Sequence, residues 1–123
     1  MADLTTNGAN RFLTWLMTSS NVTRPTTIRV ALFTSPSTEV SGNGYSRQSI
    51  AFSGAANRST SNTDTVNFTA TGGNWGTITH IGLYDHQTAG QLLWQGALAG
   101  GGKLIENGDT LVIQTGAITI NVN

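Results

Sequence analysis

From Ile28 to Val122 the apolar residues recur with a period of two, and they do so in short runs broken by glycine, asparagine and proline. A helix cannot satisfy that period, because side chains two apart fall on the same face only in a strand. Ile28, Val30 and Leu32 share one face and Ala31 and Phe33 the other, which predicts a strand buried on both sides. Pro36 and Ser37 close it, and Ser41-Gly-Asn-Gly44 forms a turn whose glycines and asparagine accept positive φ. Tyr45 to Phe52 gives the next strand, with Ile50 and Phe52 pointing together. Gly54 to Asp64 is polar and is expected to be a surface loop, and Thr65 to Thr69 is a short strand around Val66 and Phe68.

After the turn at Gly72-Gly-Asn-Trp-Gly76, one strand is expected over Ile78 to Asp85. Ile81 and Leu83 would face one side and Ile78, His80 and Tyr84 the other. Gly82 within it suggests a close backbone approach or a bulge. Gln91 to Leu98 follows as a strand in which Leu92, Trp94 and Gly96 alternate with Leu93, Gln95 and Ala97. Gly100-Gly-Gly-Lys103 reads as a flexible connection. Thr110–Gln114 and Ala117–Val122 form a hairpin-like pair around Thr115-Gly116. The total is about seven strands at 8–12-residue spacing, the pattern of an antiparallel β-sandwich or a jelly-roll-like barrel. No fixed-length repeat points to a propeller or solenoid, and no heptad or collagen-like triplet to a fibrous shaft.

The N-terminal segment is different. Leu4, Phe12, Leu13, Leu16 and Met17 lie near one stripe at helical spacing, with Ala9 between them and Trp15 widening the face. Asp3, Thr5 or Thr6 is placed to cap the helix, and Gly8 weakens its first turn by about 1 kcal/mol. The stretch from Ser19 ends it, since Pro25 disfavours helix in the residue before it. The organisation expected is one β domain over 1–123, with a helical segment at 1–20 and the β core at 26–123. A helix this short is marginal in water by itself. Its apolar face must be covered, by its own sheet or by a neighbouring subunit. Leu4, Phe12, Leu13, Trp15, Leu16 and Met17 are therefore the candidate subunit interface.

Composition narrows the function. Charged residues make up 10%, and six Lys and Arg balance six Asp and Glu. No basic excess exists to neutralise a phosphate backbone or an anionic membrane, so neither nucleic acid nor membrane is expected as a partner. There is no cysteine, which excludes disulfides and thiolate metal sites. The first residues lack the basic start and apolar run of a secretory signal. A near-neutral surface favours association, so a homo-oligomer is expected.

Catalytic constellations are weak. His80, Asp85 and His86 lie close in sequence, yet they sit on a strand and its turn, and no serine occupies a Gly-x-Ser-x-Gly elbow. Glu39, Asp85 and Asp109 adjoin turns, where carboxylates bond backbone amides. Gly100-Gly-Gly-Lys103 lacks the spacing of a phosphate-binding loop. No catalytic residue, metal ligand or cofactor site is assigned. Tyr45 and Trp75 flank glycine turns and are the candidate exposed aromatics for contact with a glycan receptor, Trp94 being core.

Several segments, taken in order, carry a resemblance. They are Arg29-Val-Ala-Leu-Phe-Thr34, Glu39-Val-Ser-Gly42, Tyr45-Ser-Arg-Gln48, Trp75-Gly-Thr-Ile-Thr-His-Ile-Gly-Leu-Tyr-Asp85, Leu92-Leu-Trp-Gln-Gly-Ala-Leu98 and Asn107-Gly-Asp-Thr-Leu111 with its continuation to Val122. Together they resemble a family of small bacteriophage virion proteins labelled phage tail fibre protein. Asn74 stands where that family more commonly has aspartate. The resemblance implies a non-enzymatic virion structural protein, tail-fibre or tail-associated, assembled in the host bacterial cytoplasm. Its partners would be other phage structural proteins, and a homotrimer is the state suggested by phage fibres and decorations. A capsid cement or decoration protein on the phage head is the alternative, and a glycan-binding adhesin module a second one.

Overall fold

The computed structural model of the chain describes residues 3–19, 25 and 27–121. Its largest sheet is built from β1 (Asp3–Leu4), β2 (Ile28–Ser35), β3 (Thr38–Glu39), β4 (Gln48–Ile50), β8 (His80–Tyr84) and β9 (Leu92–Ala97). The strand order is β1-β9-β8-β2-β3, with β4 also paired to β2. Three two-stranded ladders form a second layer. They pair β5 (Ser59–Ser61) with β12 (Thr119–Asn121), β6 (Val66–Thr69) with β11 (Thr110–Ile113), and β7 (Gly76–Ile78) with β10 (Lys103–Ile105). Every ladder is antiparallel. The fold is mainly β and sandwich-like, with one helix, α1 (Thr6–Met17), near the N-terminus.

The core lies between the layers. Val30, Leu32, Ile81, Leu83 and Trp94 from the large sheet meet Val66, Phe68, Ile78, Ile105, Leu111 and Ile113 from the ladders, with Ile118 just before β12. Val30 and Leu32 are fully buried, as alternation on β2 requires, and Ala31 and Phe33 on its other face are buried as well. That second face is closed by side chains crossing a glycine. A Cβ at Gly82 would lie 2.6 Å from both Phe33 Cε1 and Leu92 Cδ1. Gly82 therefore makes room for two side chains. The backbone approach or bulge expected there is not the reason, and the register shift between β8 and β9 falls at Leu83/Tyr84.

Three expectations are corrected. The single strand expected over Ile78 to Asp85 is two. At Thr79 the chain leaves the ladder layer and enters the large sheet, with Thr79 N–H donating to Phe33 O (2.8 Å) and Thr79 O accepting from Leu98 N (2.9 Å). The break resets the alternation, so Ile78 and Ile81 both point into the core instead of to opposite faces. The polar stretch from Gly54 to Asp64 contains β5. The two closing segments do not pair with each other, since β11 joins β6 and β12 joins β5.

Asn62 explains the last point. It is 2% exposed and knots the 114–118 turn from inside. Its Nδ2 donates to Asp64 O and Gln114 O, and its Oδ1 accepts from Ile118 N, each at 2.9 Å. A buried amide holding all these partners directs the two strands to different neighbours. The count of about seven strands becomes twelve among the described residues, because the long runs are interrupted. Gly100 to Lys103 is a 3-10 turn, Ala99–Gly101, running into β10. Residues 20–24 and Val122, assigned to the helix stop and the last strand, lie outside the described residues.

Candidate functional site

Two constructions stand out, a polar lock on the large sheet and a helix clamped to its edge. The lock begins with Glu39 on β3 and Arg47 just before β4. Arg47 Nε donates to Glu39 Oε2 and Nη2 to Oε1, both at 2.8 Å, which is the two-pronged geometry guanidinium and carboxylate favour. Tyr45 Oη donates to Glu39 Oε2 (2.6 Å) and accepts from Leu32 N (3.1 Å). The Arg47 guanidinium lies 3.5 Å from the centre of the Tyr84 ring, and its Nη1 donates to His86 O (3.0 Å) and Ala89 O (2.6 Å). Gln87 Nε2 returns a bond to Arg47 O at 2.9 Å. One side chain thus ties β3, β8 and the 85–91 loop together.

Arg47 is only 8% exposed, so its charge has to be matched, and it is. Burial works to raise the Glu39 pKa, but the hydrogen bonds from Arg47 and Tyr45 and the Arg47 charge outweigh it, leaving the carboxyl below its ordinary value. Burial, and then the hydrogen bond to Glu39, push the Tyr45 phenol far above its ordinary value. Tyr84 is raised chiefly by burial, with the Glu39 charge adding to it. Eight residues apart across the Ser41–Gly44 turn, Glu39 and Arg47 read from sequence as a pair worth little if exposed, whereas Arg47 is buried. Tyr45 between them, and Tyr84 at the end of a strand, were the signals that it is roofed.

Beside the lock, the turns around Asn43, Asn74 and Asn107 meet. Asn43 Nδ2 donates to Asn74 O (3.0 Å), Asn107 N to Asn74 Oδ1 (2.8 Å), and Gly72 N to Asn107 Oδ1 (3.0 Å). Trp75 Nε1 donates to Asn43 O at 3.0 Å. The Trp75 ring meets Tyr45 edge-on at 5.6 Å, and Tyr45 stacks on Phe68 at 6.2 Å. The expectation that Tyr45 and Trp75 form an exposed aromatic contact is therefore corrected. Trp75 is 8% exposed, Tyr45 packs against the core, and the polar tip of each ring is bonded to protein. A glycine flank permits exposure but does not require it.

The helix is held at its first half. Thr5 is the N-cap: Gly8 N donates to Thr5 Oγ1 (3.1 Å), and that hydroxyl donates to Leu92 O on β9. Gly8 is buried, and a Cβ there would run into the carbonyl oxygen of Leu93. The glycine that looked like a flaw is what lets the helix backbone lie on β9. Arg11 Nη1 then reaches Asp85 Oδ2 at 2.7 Å. The Asp85 side chain is 7% exposed and also accepts from Gln91 N (2.8 Å), with His86 Nδ1 2.8 Å from its Oδ1. Burial alone would raise its pKa. The Gln91, His86 and Arg11 hydrogen bonds overcome that and bring it to about 2.

Beyond Arg11 the helix faces outward. Phe12, Leu13, Trp15, Leu16 and Met17 are 39, 53, 49, 54 and 72% exposed. Leu4 is separate from them, because it lies on β1, pairs with Trp94 and packs on the core. The N-terminal segment thus enters the large sheet before the helix begins, which departs from the division at 1–20.

His80 Nδ1 bonds its neighbour Thr79 Oγ1 (2.8 Å), while His86 turns to Asp85, so the two imidazoles do not converge on a shared partner. Among the described residues no group of three or more His, Cys, Asp or Glu could hold a metal ion, and no buried side-chain nitrogen or oxygen lacks a hydrogen-bond partner. No described helix is long and apolar enough to cross a membrane.

None of the curated proteins compared matches the chain. The family described as Podophage GP4 fiber I protein gp80 matches residues 3–121, a span that includes β1, the clamped helix, the lock and the last ladder, and the chain belongs to that family.

Proposed function

We propose that the protein is a non-enzymatic structural subunit of a bacteriophage virion, carried on the tail as part of a fibre, with α1 as its docking element. The family supports the fibre reading. The observation that carries the docking role is the row of exposed apolar side chains on a helix that is nevertheless clamped to the fold. Exposed apolar patches beyond a few hundred Å² mark interaction surfaces on soluble proteins. The helix is fixed by its cap, by Gly8 and by Arg11, so it presents a set surface instead of collapsing onto its own sheet. The lock serves this role by fixing the 85–91 loop that holds Asp85 under Arg11. Assembly takes place in the host cytoplasm before the particle is complete, and the subunit is a homo-oligomer.

Labelled protein imaged on purified particles tests the reading. Copies confined to the tail are expected. Copies spread over the head would identify a capsid decoration protein and overturn the tail assignment.

A further inference from the structure

The outward side of α1 has the pattern of a seam for another helix. Gly8 lies against Leu93 and Arg11 reaches Asp85, so these two residues set the inward side. At about 100° per residue, Thr6, Ala9, Leu13 and Leu16 fall on the opposite side. They are spaced three, four and three residues apart, the spacing at which one helix packs along another. Thr6, Leu13 and Leu16 are exposed, and Ala9 is partly buried. Met17, beside the seam, is 72% exposed.

The seam begins with small side chains and ends with large ones, which makes it complementary to itself. Antiparallel pairing of two copies sets Thr6 against Leu16 and Ala9 against Leu13, and the two-fold axis repeats both pairs. Every layer then joins a small side chain to a large one, the arrangement that fills a contact without voids. Parallel pairing would set Thr6 on Thr6 and Ala9 on Ala9 and leave a gap at that end. Antiparallel helices also oppose their dipoles. Charge does not resist the contact. Arg11 is the sole charged residue of α1, and it is turned inward and bound to Asp85. The side chains exposed between Phe12 and Met17 present on the order of 600 Å² in each copy, so a two-fold contact that covers them reaches the lower limit of a standard interface, about 1,200 Å² in total.

We infer that α1 packs antiparallel against α1 of a second copy of this chain, along Thr6, Ala9, Leu13 and Leu16. The same patch serves both copies, so the contact closes at two chains. The inference rests on the helix being the docking element and adds its partner.

The chain has no cysteine, so introduced thiols report the contact without background. Ala9→Cys and Leu13→Cys, made in separate full-length chains, are mixed under mild oxidation, with Thr6→Cys and Leu16→Cys as a second pair if either variant does not fold. The expected product is the mixed disulfide dimer, identified by intact mass. Each variant alone should cross-link at least about tenfold less, because like positions are offset by about one turn or more along the pair. Cross-linking of each variant to itself as readily as to its mate would overturn the antiparallel pairing. Analytical ultracentrifugation of the wild type is expected to show a dimer, weakened at least about tenfold by Leu13→Asp with Leu16→Asp. A dimer that gives no mixed disulfide with either pair would overturn the helix contact. A wild type that stays monomeric yet is found on particles would also overturn it, placing the helix on another virion protein and leaving the structural role intact. A wild type found on no particle would remove the structural role itself.

Discussion

The surroundings of Arg47 and the outer face of α1 are opposite solutions for residues of the wrong polarity. Arg47 is a charge inside the protein, and Glu39, Tyr84 and two loop carbonyls surround it. Leu13, Leu16 and Met17 are apolar groups outside it, and within the chain they stay largely exposed. A buried charge left unmatched costs several kcal/mol in the folded chain itself, so the chain must supply its partners. An exposed leucine costs far less, so its cover can come later from another molecule. The lock is complete in one chain, whereas under the proposed docking role the helix face is completed by assembly. Substitutions in the two regions should therefore damage different things.

The largest effect is expected at Arg47. Replacing it with alanine leaves Glu39 half-buried without its cation and frees the 85–91 loop. A loss of about 3–5 kcal/mol in the denaturant-unfolding free energy is expected. Arg47→Lys should recover only a small part, because an ammonium cannot span both carboxylate oxygens and the loop carbonyls. A lysine variant as stable as the wild type would break the contrast at its stronger end.

Acid should act next. Asp85 has its folded pKa below its unfolded value, so its contribution is complete above about pH 4 and is lost as pH falls toward 2. The shift corresponds to about 2 kcal/mol, and Glu39, displaced in the same direction, adds to it. Unfolding free energy measured from pH 6 to pH 2 should fall steeply in the lower half of that range. In Asp85→Asn the slope should be shallower.

Gly8→Ala separates the helix from the sheet it lies on. In a free helix the change gains up to about 1 kcal/mol. Here the added methyl group meets the Leu93 carbonyl, so a net loss of about 1–2 kcal/mol is expected. Amide hydrogen exchange should locate the loss in α1 and β1, with β2 and β8 still protected. Unchanged protection in the helix would mean that the close approach to β9 is not what holds it.

Much of this was legible in the sequence. Alternation placed Val30 and Leu32 in the core and gave Leu83 and Trp94 their strands, and the stripe from Phe12 to Met17 marked the helix. What stayed hidden is the choice of partner. A period of two says which face a residue takes but not which strand lies beside it, so Thr110–Ile113 looked like the mate of its own continuation. The crossing at Thr79 was hidden because a one-residue change of sheet leaves an apolar run looking continuous. Gly8 was misjudged because propensity counts its cost in an isolated helix, while its benefit lies on another strand. Tyr45 and Trp75 were misplaced because their burial depends on Glu39 and Asn43, whose positions only the fold sets.

The smallest expected effect on stability belongs to the most consequential substitution. Leu13→Asp with Leu16→Asp places charges at positions about half exposed, so the isolated protein should lose less than about 1 kcal/mol. Incorporation of that variant into particles, measured beside its thermal unfolding, tests most directly whether the helix face is made for assembly. Near-normal unfolding with the protein missing from purified particles is the result expected. A variant that is folded and incorporated at the wild-type level would contradict it.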